Sequence, residues 1–284
     1  MGSLEEHICN IGHDTPRQIN LIEREIGGGR ISKETIDTLA KENNKDVLSV
    51  SGLVQDTFEY LITRYGAKFR VINFWKNPLV EDFSALESLR DVEYISYFWN
   101  QRVTKLWNFG KNPSLKGLSF DDFTRLHDLS DLNRATSLHE LEFGDKVWVK
   151  LQVNSLAPIS SLSSLQRLSF AAKKITDERI DPIADLKNLK ELSFSPRLFT
   201  TEQVAWLKAK LAKTIECKFL APYWTIQKPI QMSGKRKDTF IVGKKKPFLD
   251  SKLDHAKIDR YVKEFDLRVN WFEAHPEARP EDFT

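Results

Sequence analysis

The chain has 284 residues, with 43 Lys and Arg against 40 Asp and Glu, a net charge of +3 and two cysteines. It is long enough to bury a sizeable core, its two cysteines argue against a disulfide framework, and no apolar run approaches the roughly 20 residues that cross a bilayer. Glu5, Glu6 and His7 stand where a signal peptide would be apolar, so the expected location is the cytoplasm, and Met1-Gly2-Ser3 reads in part as a cloning remnant.

In chain order, residues 1–44 read as a helical leader and cap. Thr15-Pro16 opens a predicted helix with Ile19, Ile22 and Ile26 on one side, closed by Gly27-Gly28-Gly29. A second short helix is expected from Ser32, with Ile36 and Leu39 facing inward. Across residues 45–221 an apolar pair two residues apart recurs eight times: Leu48/Val50, Ile72/Phe74, Val92/Tyr94, Leu118/Phe120, Leu141/Phe143, Leu168/Phe170, Leu192/Phe194 and Ile215/Cys217. Successive gaps are 24, 20, 26, 23, 27, 24 and 23 residues, a period that marks a solenoid whose units bury their apolar faces against one another. Two helices are expected to interrupt it. One has Asp56 and Glu59 as a capping box and ends at Gly66; the other has Thr200 and Gln203 as its box and precedes Val204-Ala205-Trp206-Leu207. Residues 222–284 form a third part: Thr239-Phe240-Ile241-Val242 as a strand or hairpin between two basic clusters, an amphipathic helix from about Ser251 carrying Ile258, Tyr261, Val262 and Phe265, and a frayed tail.

One duplication is ungapped. Residues 156–170 align on residues 180–194 at an offset of 24, sharing the frame P-I-x-x-L-x-x-L-x-x-L-x-F. The run L-x-F puts alternate side chains inward on a short extended segment, and the preceding L-x-x-L closes the coil with a tight turn. This frame resembles the leucine-rich repeat, most closely the bacterial internalin-like kind, over roughly residues 45–220. The resemblance implies an α/β solenoid with one short parallel β-strand per repeat, a helical N-terminal cap and, here, a C-terminal hairpin and helix. Six of the eight pairs end in an aromatic residue, which predicts a stacked column of rings in the core. The family's usual Asn, five residues after the key Leu, is present only as Asn77; Tyr97, Phe123, Lys146, Lys173 or Arg197 stands there elsewhere, which predicts irregular turns.

Catalytic signatures are absent: there is no G-x-S-x-G, H-E-x-x-H or C-x-x-C, and neither Gly27-Gly28-Gly29-Arg30 nor Gly234-Lys235 has phosphate-loop spacing. His7, Cys9 and His13 offer three metal ligands without a fourth, and His127 and His139 read as surface residues near turns, so no metal or other cofactor is expected. Attention therefore moves to surfaces. In the repeat frame the side chains flanking each buried pair project onto the concave face. They give Asp91, Glu93, Asp121, Glu140, Glu142, Glu191 and Glu216 against Arg167 and Lys218, with Trp75 near one end. An acidic face repels phosphate and attracts a basic protein surface. The expected function is non-catalytic binding of another protein, an inhibitor or immunity-type role being one version; the bland reading is that these carboxylates only keep the chain solvated. The alternative is a nucleic-acid or anionic-membrane binder using Lys235, Arg236, Lys237, Lys244, Lys245 and Lys246. Trp99 and Trp107 are a possible contact site, though core packing is the simpler reading for both.

Overall fold

The computed structural model describes residues 3–9, 15–23, 25, 27–147 and 150–283. Its elements, in chain order, are α1 (Leu4–Cys9), β1 (Gln18–Leu21), α2 (Lys33–Asp37), β2 (Val47–Val50), α3 (Gln55–Tyr65), β3 (Val71–Trp75), β4 (Tyr94–Asn100), β5 (Gly117–Phe123) and β6 (Glu140–Gly144). After these come β7 (Gln152–Val153), β8 (Arg167–Ala171), β9 (Lys174–Ile175), β10 (Glu191–Phe194), α4 (Thr201–Lys210), β11 (Tyr223–Met232), β12 (Lys235–Ile241), β13 (Phe248–Leu249) and α5 (His255–Ala274). Strands β1-β2-β3-β4-β5-β6-β8-β10 form one sheet in that order, every neighbour parallel. Short 3₁₀ turns and α3 return the chain along the other side, so each repeat is a strand and a turn closed around buried apolar residues.

The register explains the sequence frame and corrects it. Leu48, Ile72, Ile95, Leu118, Leu141, Leu168 and Leu192 lie side by side, and so do Val50, Phe74, Tyr97, Phe120, Phe143, Phe170 and Phe194. The third unit is therefore Ile95/Tyr97, not Val92/Tyr94. The frame repeats an apolar residue every third position before the strand, here Leu86, Leu89 and Val92, so a pair read three residues early looks the same. The first strand was also missed. Ile19 pairs with Leu48 and Leu21 with Val50, so within the helix predicted from Thr15 residues 18–21 form a strand whose Ile19 and Leu21 begin the inward columns, while Ile26 lies outside the described residues. The last pair, Ile215/Cys217, is half-buried and contributes one bridge, Glu216 to Glu191, rather than a strand.

The expected ring column is present: Phe74 stacks on Tyr97 at 5.0 Å, Phe120 on Phe143 and Phe143 on Phe170 at 5.4 Å, and Phe170 on Phe194 at 6.0 Å. Correcting the register also adds an asparagine, since Asn100 stands to Ile95 as Asn77 stands to Ile72. Both are buried. Asn77 accepts the Leu53 N–H and donates to the Val50 carbonyl; Asn100 donates to the carbonyls of Asn77 and Val80 and accepts from the N–H groups of Arg102 and Val103. Just before each asparagine the chain turns through left-handed backbone, at Lys76 (φ 55°) and Trp99 (φ 68°), and Gly52 (φ 71°) and Asp122 (φ 55°) do the same in the flanking units. That turn swings the amide inward to satisfy backbone groups that leave the sheet. Asn112 replaces a core leucine in the next turn, where it donates to the carbonyls of Leu86 and Leu89 and accepts from the Trp107 indole.

The ends differ from expectation in detail. α2 starts after Ser32 as predicted, with the Ser32 hydroxyl accepting the Thr35 N–H. α3 begins one residue before Asp56, Thr57 and not Glu59 satisfies the Val54 N–H, and Asp56 pairs with Lys33. The Thr200/Gln203 box is formed. β11, β12 and β13 make a small antiparallel sheet, longer than the predicted hairpin, and α5 packs on α4. The tail is not frayed. Ala278 accepts the Trp206 indole N–H, and Phe283 packs on Trp271 and Phe272. One apolar cluster runs from Ile31 through every repeat to Val242 and Phe272, so the C-terminal part closes the end of the same core.

Asn100→Ala removes a partner from four backbone groups, of which the Asn77 carbonyl keeps the Tyr97 hydroxyl, and is expected to destabilise the chain by about 3 kcal/mol, read as a lowered midpoint in urea denaturation. Asn100→Asp, which keeps the acceptor and loses the donor, should recover only part of that.

Candidate partner-binding surface

On the sheet face away from the core, the strands set side chains in three columns. The first runs Val47, Val71, Tyr94, Gly117, Glu140, Arg167, Glu191; the second Ser49, Asn73, Ser96, Ser119, Glu142, Ser169, Ser193; the third begins Trp75, Phe98, Asp121. The face is thus divided: apolar and small polar over β2–β5, charged over β6–β10. A uniformly acidic surface is not what these residues build. Asp91 lies in an exposed turn before β4, off the sheet. Glu93 is 4% exposed at the foot of that strand, where it takes ion pairs from Arg70 at 3.2 Å and Lys116 at 2.9 Å. Both were placed on the face by the same three-residue slip.

The remaining predicted carboxylates are on the face, mostly with partners. Arg167 bridges Glu140 at 3.2 Å and Glu191 at 2.8 Å, and Lys146 bridges Asp121 at 2.8 Å and Glu142 at 3.1 Å. Glu216 is exposed beside them. Except for Asp121, these groups line an open depression of about 680 Å³ together with Ser169, Ser193 and Lys218. Burial pushes the Asp121 carboxyl up to about 6 in spite of Lys146. Burial alone would lower the Lys146 ammonium, but Asp121 and Glu142 outweigh it and raise it. The two shifts agree physically: Asp121 has almost no water of its own, whereas Lys146 is 43% exposed and gains two carboxylates.

The third column starts with an apolar feature. Trp75 and Phe98 stack at 4.5 Å, both half-buried, and with Tyr97, Val147 and Lys146 they line a second depression of about 270 Å³. Val147 is 56% exposed. Of the other aromatic candidates, Trp107 is a core residue at 4% exposure, while Trp99 is half-buried and its indole N–H has no hydrogen-bond partner among the described residues. Sequence reasoning named Trp75 but missed Phe98, because the slipped register placed Phe98 outside the strand frame.

The N-terminal segment lies on this same face. α1 runs over β3, β4 and β5. Leu4 is 3% exposed in a small cluster with Val47, Val71 and Tyr94, separate from the main core. The Leu4 N–H donates to Glu140 at 3.1 Å, Asn73 donates to the His7 carbonyl at 3.4 Å, and the His7 ring lies 4.8 Å from Tyr94. Burial holds the His7 imidazole below its ordinary range, with Glu6 opposing. Beneath them Gln18, Ser49, Asn73 and Ser96 form a hydrogen-bonded row across four strands.

The basic clusters are more dispersed than their sequence suggests. Arg236 bridges Asp238 and Asp250, Lys237 lies 3.6 Å from Asp254, Lys244 pairs with Glu178 at 3.0 Å and Lys246 sits over Tyr261. Lys235 and Lys245 are exposed at opposite ends of β12 and the turn that follows it. Of the proposed metal trio, His13 and the Cys9 side chain lie outside the described residues. Among the described residues, no group of three His, Cys, Asp or Glu could hold a metal ion, and no helix is long and apolar enough to cross a membrane. Burial pushes the Cys217 thiol up, away from the range of a reactive thiolate.

Asp121 carries a pH dependence whose sign follows from its raised folded value. The native state holds this proton more tightly than the unfolded chain, so its contribution to stability is greatest below about pH 4 and falls as pH rises to about 6. Relative to Asp121→Asn, the wild type should lose about 2 kcal/mol between those limits and about 3 kcal/mol over the full range from pH 2 to pH 7, measured by urea denaturation at a series of pH values.

No protein-family model matches the sequence, and no curated protein matches it. Solved structures similar to the chain include Toll from Drosophila in its complex with Spätzle (19% identity, TM-score 0.47, covering 65% of this chain and 23% of that one). A leucine-rich-repeat protein of Leptospira interrogans gives 16%, 0.49, 75% and 50% on the same measures, and internalin InlF of Listeria monocytogenes 18%, 0.42, 67% and 58%. The chain therefore spans between 23% and 58% of the length of these proteins. With its parallel strand ladder, its repeated L-x-x-L-x-x-L-x-F frame and its inward asparagines, the chain has the fold of a leucine-rich-repeat solenoid.

Proposed function

We propose that the chain is a non-catalytic binding protein whose partner is another protein, docked on the sheet face around the Trp75–Phe98 stack. The observation that carries this reading is the stack itself: two large rings, partly open to solvent, beside an exposed Val147 and rimmed by the Asp121–Lys146–Glu142 ion pairs. A desolvatable aromatic centre with a polar rim is the composition of a binding hot spot. The carboxylates are a weaker warrant than their number suggests, since all but the exposed Glu216 and the displaced Asp91 face a cation. A basic partner, and with it an inhibitor or immunity-type role in a bacterial cytoplasm, is favoured only at the charged end of the face. A nucleic-acid or membrane surface draws less support, because the basic clusters are divided among ion pairs and a ring contact.

The test is capture of a partner from native lysate on immobilised wild type, Trp75→Ala, Phe98→Ala and Asp91→Lys chains. The aromatic variants are expected to lose a stoichiometric protein at least tenfold, and Asp91→Lys to retain it. Retention by all four chains, or capture only of salt-released nucleic acid or lipid, would overturn the proposal.

A further inference from the structure

The apolar half of the face is covered by a short piece of the same chain, and the details of that cover describe a ligand. Val47, Val71 and Tyr94 are apolar side chains on a surface that in the other half carries Glu140, Arg167 and Glu191 at the same column positions. Between the halves stands Gly117. A Cβ there would come 2.4 Å from the Tyr94 ring and 3.5 Å from the end of Leu4, so the missing side chain makes room for the ring and for the leucine seated beside it. Leu4 clusters with Val47, Val71 and Tyr94; one helical turn later, the His7 ring lies against the Tyr94 ring at 4.8 Å. Polar groups fix the ends. Glu140 accepts the Leu4 N–H, and Asn73, itself held by Ser49 and Ser96, donates to the His7 carbonyl.

We propose that this half of the sheet is a groove for a short helical segment carrying a leucine-sized side chain and, three residues on, an imidazole or aromatic ring, and that residues 4–7 are its resident occupant. The proposal deepens the protein-binding reading and rests on it: a partner supplying the same two side chains in the same order competes with residues 4–7 for the groove. The resident is poised for exchange. Among the described side chains of α1, Leu4 is the buried apolar one, and it sits in a cluster that the main core does not share. The groove also adjoins the Trp75–Phe98 depression, because Asn73 and Trp75 belong to one strand and Ser96 and Phe98 to the next. A partner segment that replaces residues 4–7 therefore continues naturally onto the aromatic stack.

The experiment uses the full chain and a fluorescein-labelled synthetic peptide of residues 1–9 with its cysteine replaced by serine, followed by anisotropy. The Leu4→Ser chain, whose resident anchor is gone, should bind the peptide at least tenfold more tightly than the wild-type chain. A peptide carrying Leu4→Ser should bind neither chain. Circular dichroism and thermal denaturation should show the Leu4→Ser chain folded, and Tyr94→Leu in that background should weaken the peptide while leaving the fold intact. Equal affinity of the two chains, equal binding of the two peptides, or no binding to a folded Leu4→Ser chain would overturn the groove. These results are separable from the wider reading: partner capture lost in Trp75→Ala but unaffected by saturating peptide removes the groove and leaves protein binding standing. Peptide binding with partner capture untouched by Trp75→Ala does the reverse.

Discussion

Every strand of the large sheet is held by the strand beside it, so the fold depends on each coil of chain returning to the same register. Two interactions enforce that return. The inward pairs stack in columns, ring on ring from Phe74 to Tyr97 and from Phe120 to Phe194 with Phe123 edge-on between the two runs, and a slip by one residue would turn each ring to the opposite face. The chain must also leave each strand without stranding its backbone groups. Asn77 and Asn100 meet that demand by reaching across to the neighbouring coil, and the left-handed residues just before them aim their amides. Where no asparagine is available, after β6 and β8, the short pair β7 and β9 supplies backbone partners instead, and Lys173 N–H donates to the Leu151 carbonyl. The irregular turns are thus different solutions to one accounting of donors and acceptors.

The architecture was legible in the sequence because its signal is repeated. A single L-x-x-L-x-F means little, but several at intervals near 24 residues leave few alternatives to a solenoid. What the repeat could not determine was phase where its own sub-period is three. Leu86, Leu89, Val92 and Ile95 are equally spaced, and only pairing with Ile72 and Leu118 shows which of them is the strand residue. From that one ambiguity came the misplaced Asp91 and Glu93, the hidden Asn100 and the missing Phe98. β1 was illegible for another reason. Ile19, Ile22 and Ile26 fit a helix, whereas the strand needs only Ile19 and Leu21, and a four-residue strand at the end of a stack draws its stability from its neighbour rather than from its own pattern.

Charge was read correctly as composition and less well as a surface. Carboxylates do collect on the sheet, but so do the cations that accompany them. Lys146 reaches back from the loop after β6, and Arg167 sits in the same column between Glu140 and Glu191. Rows across a parallel sheet place residues some 24 positions apart within about 5 Å, a neighbourhood that a linear list of acidic positions does not display. The basic segment shows the same effect, since Asp238, Asp250 and Asp254 fold back on Arg236 and Lys237.

The division of the sheet face then has a physical sense. Columns of like residues are favourable only if what lies above them matches. Val47, Val71 and Tyr94 in a row would leave an apolar stripe in water, while the Glu–Arg–Glu row can stand solvated. The chain resolves the mismatch by laying its own Leu4 on the stripe and letting the Leu4 N–H meet the first carboxylate of the charged row. The boundary falls at Gly117, where a side chain would collide with the Tyr94 ring and come into contact with Leu4. A surface that needs a cover, and a cover whose buried leucine clusters apart from the main core, are what single out the apolar half of the sheet as the place where another segment would compete for the same contacts.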